Sequence, residues 1–191
     1  MIEGGIGRLL VASLHQGIAD LLPTRLEFYE EWFKPTGLRE GRIGLAPLAA
    51  VLSFLRQEGE AYRLVTARAG EYAAEWTFGE LSGVRRRFVR ALPTPLRVRL
   101  VMGLARAMIR RTYGGSRALV RWRKGRGEVE IRRSLFCTVR DRVEQPLCQF
   151  YAAAIRRWMA LFGIEVDVET EQCRATGAAR CLTVVLVRRT G

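Results

Sequence analysis

The hydrophobic period of this chain changes once, and that change limits the folds open to it. Up to Gly114-Gly115 apolar residues recur every three or four positions; beyond that point they mostly alternate. Ile6–Leu22 reads as a helix with Leu9, Leu10, Leu14 and Ile18 on one face, stopped by Pro23. Arg25–Gly37 is an aromatic segment (Phe28, Tyr29, Trp32, Phe33) that ends at Pro35 and Gly37. Pro47–Gly59 and Ala61–Phe78 read as further helices, and Pro93 and Pro95 introduce another over Leu96–Thr112. Arg117–Lys124 and Glu128–Arg132 then alternate on either side of a turn at Gly125-Arg126-Gly127, which predicts a hairpin. A last helix opens at Gln145-Pro146 and runs to Phe162, with Gly163 as its cap. Ile164–Glu171 is a strand with acidic residues on one face, and a loop follows around Gly177. Cys181–Val187 is apolar on both faces, as a central strand must be. Helices first and strands later predict an α+β fold, an N-terminal helical layer packed on a mostly antiparallel sheet. Neither a repeat nor a linker interrupts the 191 residues, so one domain is expected over 1–191.

Charge is distributed as unevenly as period. The net charge is +13, yet residues 81–133 alone hold 16 basic and 2 acidic residues. Arg85-Arg86-Arg87, Arg99, Arg106 and Arg110 could meet phosphate, but no helix-turn-helix or zinc-finger spacing accompanies them, so nucleic acid is not the expected partner. Internal pairing, for example Arg121 and Arg123 across the hairpin from Glu128 and Glu130, accounts for part of the excess. Leu96–Thr112 also has the pattern of a basic amphipathic helix, with Arg99, Arg106 and Arg110 as its candidate basic face toward a membrane surface or partner. The start of the chain shows no cationic leader, and its longest apolar run, Ile43–Leu55, is too short for a bilayer, so a cytoplasmic protein is expected.

Four cysteines, Cys137, Cys148, Cys173 and Cys181, all fall in the last third. In a reducing compartment, clustered thiols point to a metal before disulfides. Cys148 stands at a helix start, where the helix dipole favours thiolate, and Cys173 and Cys181 bracket a strand–loop–strand. Three thiolates with one carboxylate, or four thiolates, give a closed tetrahedral zinc site. Glu171 has the side-chain parity of Cys173 in a regular strand and is the candidate fourth ligand; Cys137 is the alternative.

The segments Pro146-Leu147-Cys148-Gln149-Phe150-Tyr151, Phe162-Gly163 and Val168-Glu169-Thr170-Glu171-Gln172-Cys173, followed by Gly177 and Cys181, resemble the vinyl-4-reductase domain over residues 134–187. That family stands with the TRAPP transport-particle subunits and the sensor domains of phenol-responsive transcription activators. The resemblance implies a TRAPP-like α+β fold, a structural zinc with roles for Cys148, Cys173 and Cys181, an apolar ligand pocket and a homodimer. One departure is visible. The family glutamate stands three residues before the first paired cysteine, where this chain has Thr170, flanked by Glu169 and Glu171.

The expected function is therefore a small-molecule-binding module for a hydrophobic or aromatic ligand, in a sensor or accessory role that requires a separate output protein. The runner-up is a tethering subunit that docks an acidic partner or membrane through the arginine-rich face; an accessory role in tetrapyrrole 4-vinyl reduction is third. Trp32, Tyr72, Trp76, Phe150 and Tyr151 are the candidate pocket residues. Catalysis has little support: His15 is the sole histidine, and no phosphate-binding glycine loop or nucleophile elbow is present.

Overall fold

Apolar stripes set the helical layer. The computed structural model describes residues 6–33, 44–123, 125–139 and 141–188. Helix α1 (Arg8–Leu21) buries Leu10, Leu14 and Ile18 and stops before a 3-10 turn at Pro23–Arg25. Helix α2 (Leu26–Phe33) carries the aromatic segment; the stop expected at Pro35 and Gly37 lies outside the described residues. Helices α3 (Leu45–Gln57) and α4 (Glu60–Gly79) follow, divided by Gly59 at φ 61°, a conformation that favours glycine. Helix α5 (Gly83–Ala91) is one that period alone does not separate out; its first turn is capped by the Ser82 hydroxyl accepting from the Arg85 N–H. Helix α6 (Thr94–Thr112) starts behind Pro93, as expected.

Strands β1 (Arg117–Arg123) and β2 (Arg126–Arg132) form the hairpin. Arg126 and Gly127 belong to β2, not to the turn the sequence suggested, because Arg123 already pairs with Arg126. Helix α7 (Gln149–Leu161) then leads through Gly163 (φ 70°) to β3 (Val166–Gln172) and β4 (Cys181–Val187). The sheet is antiparallel in the order β1-β2-β4-β3, so β4 is central, and its residues 181–185 are all buried. This is the α+β arrangement anticipated from the period change.

Helices α6 and α7 pack on the sheet at β1 and β3, and α4 packs against both α1 and α7. The α4–α7 crossing is close enough that only glycine fits at position 70: a Cβ there would stand 2.1 Å from the Phe150 carbonyl oxygen. Ala73, Ala74 and Ala154 are fully buried in α4 and α7, and their small side chains suit two backbones in close contact. The tight crossing fixes α7, and with it the position of Cys148 at its start. No described helix is long and apolar enough to cross a membrane.

Candidate metal centre and adjoining cavity

Four separate segments bring the cysteines together. Cys137 ends a 3-10 turn (Leu135–Cys137), Cys148 is the N-cap of α7, Cys173 follows β3, and Cys181 opens β4. The Cys137 Sγ lies 3.1 Å from that of Cys148 and 3.4 Å from those of Cys173 and Cys181, and Cys148 to Cys173 is 3.8 Å. All four sulfurs fall within 4.8 Å of one another, too far for any disulfide. Three are buried and Cys137 is half-buried.

Backbone donors already face this sulfur cluster. The Leu147 N–H donates to Cys173 Sγ at 3.4 Å and the Arg174 N–H to Cys181 Sγ at 3.5 Å. Both bonds favour thiolate, as donors around metal-bound sulfur do. The 173–181 loop is held locally: the Ala178 N–H and the Thr176 hydroxyl both donate to the Cys173 carbonyl, and Gly177 turns at φ 94°. Crowding splits the proton affinities of the thiols. Contacts from Cys137, Cys148 and Cys181 hold Cys173 far below the ordinary thiol range. Contacts from Cys137, Cys173 and Cys181, together with burial, push Cys148 well above it. At Cys148 the sulfur crowding therefore outweighs the helix-start effect invoked from sequence.

Glu171 does not join the cluster. Pairing along β3 shifts register between Thr170 and Gln172, a bulge with Glu171 as its extra residue, so strand parity no longer carries it to the Cys173 side. Its carboxylate instead accepts from Arg126 Nη2 at 2.8 Å. Thr170, at the family's glutamate position, has a buried hydroxyl with no hydrogen-bond partner.

The aromatics proposed as a pocket fall into three separate ring groups. Trp32 packs on Phe54 at the surface, and Tyr72 stacks on the exposed Trp76 while its hydroxyl donates to Asp20. Phe150 and Tyr151 are packed solid against Phe136. The space lies elsewhere. A cavity of about 440 Å³ is lined by Leu45, Ala49 and Leu52 of α3 on one side and by Leu135 and Cys137 on the other. Sequence reasoning missed it. The available signal was Arg56, which follows Leu48, Leu52 and Leu55 on the buried stripe of α3 where a charge is out of place.

Arg99, Arg106 and Arg110 are exposed on α6, and none has an ion-pair partner among the described residues. Other arginines of the basic stretch are used internally: Arg90 and Arg97 donate to the carbonyls of Leu161 and Phe162 at the end of α7, and Arg111 pairs with Glu80. Within the hairpin Arg121 does stand opposite Glu128, whereas Glu130 faces Leu119 and pairs with Arg132.

Residues 128–187, which include all four cysteines, match the model of the vinyl-4-reductase domain family. The chain carries a vinyl-4-reductase domain. That domain runs from β2 through β4, and the whole sulfur cluster lies within it. Among solved structures the chain is similar to an H-NOX domain from Shewanella oneidensis in the Fe(II)CO ligation state, at 10% identity and TM-score 0.59, covering 96% of this chain and 99% of that one. It is also similar to a trafficking protein particle complex subunit 3 from Naegleria fowleri covalently bound to palmitic acid, at 13% identity and TM-score 0.51, with 94% and 96% covered. The phenol-responsive sensory domain of the transcription activator PoxR aligns over 76% of this chain and 75% of its own, at 17% identity and TM-score 0.49. No curated protein matches. The fold around this vinyl-4-reductase domain is thus TRAPP-like and H-NOX-like in its backbone.

Proposed function

We propose that the chain is a small-molecule-binding module of sensor or accessory type, whose ligand is apolar or aromatic and whose architecture is fastened by a structural zinc ion. The observation that carries this reading is the meeting of four thiols from four segments at the wall of a 440 Å³ cavity, a volume within the usual range for small-ligand sites. The donor set fits the ion. Zinc–sulfur bonds of about 2.3 Å in a tetrahedron separate the sulfurs by about 3.8 Å, and the contacts of 3.1–3.8 Å around Cys137 and Cys148 approach that spacing. Cys137, Cys148, Cys173 and Cys181 would hold it. A site closed by four thiolates leaves no position for a reactive water, so the ion's contribution is to folding.

The fold neighbours support the ligand side of the reading, since one was solved with carbon monoxide on iron and another with palmitic acid attached. The reading includes a homodimer that acts on a separate output protein in the cytoplasm, as the family resemblance implies. Native mass spectrometry and elemental analysis of untagged protein from its own host test it. One zinc per chain with a bound small molecule is the expected result; a chain free of both overturns it.

A second reading, docking on an anionic bilayer, is favoured by one surface. On α5, Val84 is 80% and Phe88 61% exposed, and on α6 Leu96 and Leu100 are 50% and 38% exposed. Arg85, Arg87, Arg99, Arg106 and Arg110 are exposed on the same two helices. Apolar side chains among unpaired guanidiniums are what an interfacial helix pair presents to acidic lipid.

A further inference from the structure

The 440 Å³ cavity has a second property that the apolar-ligand reading does not use. Of its lining residues none is acidic and three are arginines, Arg56, Arg133 and Arg174. Neither Arg133 nor Arg174 meets a carboxylate among the described residues. Arg56 stands on the buried stripe of α3, and its Nη1 is a buried donor with no hydrogen-bond partner. An unmet donor on a charged, buried group is costly, on the order of 1–3 kcal/mol or more, so a group that persists this way is held for something that completes it.

The remaining wall is aliphatic. Leu45, Ala49 and Leu52 face Leu135 and Val139 across the space, with the Cys137 end of the sulfur cluster at its edge. A neutral hydrocarbon would fill that wall and leave Arg56 unmet. A free inorganic anion would satisfy Arg56 and leave the wall wet. An apolar molecule with one oxyanion head does both, because a planar guanidinium matches the paired oxygens of a carboxylate or phosphate.

We infer that this cavity selects an apolar molecule ending in a single oxyanion, a carboxylate or a phosphate monoester, with Arg56 as the residue that reads the head. The inference rests on the small-molecule reading above and narrows its ligand class. The competing use of the same charge is local. Arg56 is near enough to act electrostatically on Tyr62, as are Cys137, Cys148 and Cys173, so it could instead balance the charge of a metal–thiolate centre.

Calorimetric titration of the metal-loaded full chain with decanoate, decyl phosphate and decan-1-ol separates these uses. At least one anion binds about tenfold or more tightly than the alcohol of equal chain length. Arg56→Gln removes that advantage, leaves decanol affinity and zinc content unchanged, and Ala49→Trp blocks all three probes. The ratio of decanoate to decyl phosphate identifies which head the site takes. If Ala49→Trp fails to fold, Arg174→Gln serves as the second variant, with a partial loss of anion affinity alone. Equal binding of decanol and the anions overturns the oxyanion head while leaving a small-molecule site in place. Loss of zinc from Arg56→Gln, with all probes weakened alike, assigns the arginine to the sulfur centre and overturns the inference. Absence of binding by all three probes overturns it too, and the native mass spectrum then decides the broader reading separately.

Discussion

Leu147 N–H and three neighbouring sulfurs all approach one atom, the Sγ of Cys173, and nothing in an apolar core requires that convergence. Replacing it distinguishes a metal centre from four small core fillers. Cys173→Ser keeps the volume close to that of cysteine, so a filler role costs little, whereas loss of one zinc ligand forfeits a large part of the metal's folding energy. We expect zinc content to fall and the melting temperature to drop by roughly 10 °C. Glu171→Gln, by contrast, should leave both unchanged, since that carboxylate is engaged by Arg126 at the surface. Protons compete with the cation for sulfur, so metal affinity falls as pH falls, and a chelator should strip zinc faster at pH 5 than at pH 8. The cysteines were legible in the sequence because helix starts and strand ends are marked by local signals, Pro146 before Cys148 and Gly177 between Cys173 and Cys181. The true place of Glu171 was not, because a bulge is one residue of backbone irregularity and strand alternation carries no sign of it.

Between elements, Gly70 controls how near α4 comes to α7. A Cβ at 2.1 Å from the Phe150 carbonyl oxygen cannot be accommodated by rotating a side chain, because the obstacle is backbone. Gly70→Ala should therefore destabilise by about 1–3 kcal/mol or more, against the usual benefit of alanine in a helix. Because α7 begins at Cys148, the same variant should also speed zinc release to a chelator. Gly103→Ala in α6 is the control: nothing lies within 4 Å of its Cβ, so it should stabilise by up to about 1 kcal/mol in thermal melts. Most elements were readable from period and punctuation, and the central place of β4 followed from its two apolar faces. Helix α5 was not, because three consecutive arginines mask the spacing of Val84, Phe88 and Val89. The cavity was out of reach for another reason. It arises where α3 stands over the 134–139 segment, and only the unexpected charge of Arg56 on an apolar stripe hinted at it.

At the scale of the whole molecule, the uneven charge becomes an uneven surface. Capping of α7 by Arg90 and Arg97 and the pairing of Arg111, Arg126 and Arg132 absorb part of the basic excess. What is left unpaired gathers on α5 and α6 around Val84, Phe88, Leu96 and Leu100. If that face docks on a bilayer, two independent forces act and can be separated. Attraction between guanidiniums and anionic headgroups is screened beyond about 8 Å at physiological salt, while insertion of Phe88 and Val84 depends on apolar area and is insensitive to screening. Co-sedimentation with vesicles of phosphatidylcholine carrying 0 to about 40% phosphatidylserine should show binding that rises with the acidic fraction and weakens steeply in high salt. Phe88→Ser should weaken binding at every salt concentration without changing its salt slope. Arg99→Gln combined with Arg106→Gln and Arg110→Gln should flatten the slope and leave melting temperature intact, because none of the three is paired or buried. Equal binding to neutral and acidic vesicles, or none to either, would exclude the bilayer as the occupant of this face and leave the cavity and its sulfur wall as the functional surface of the chain.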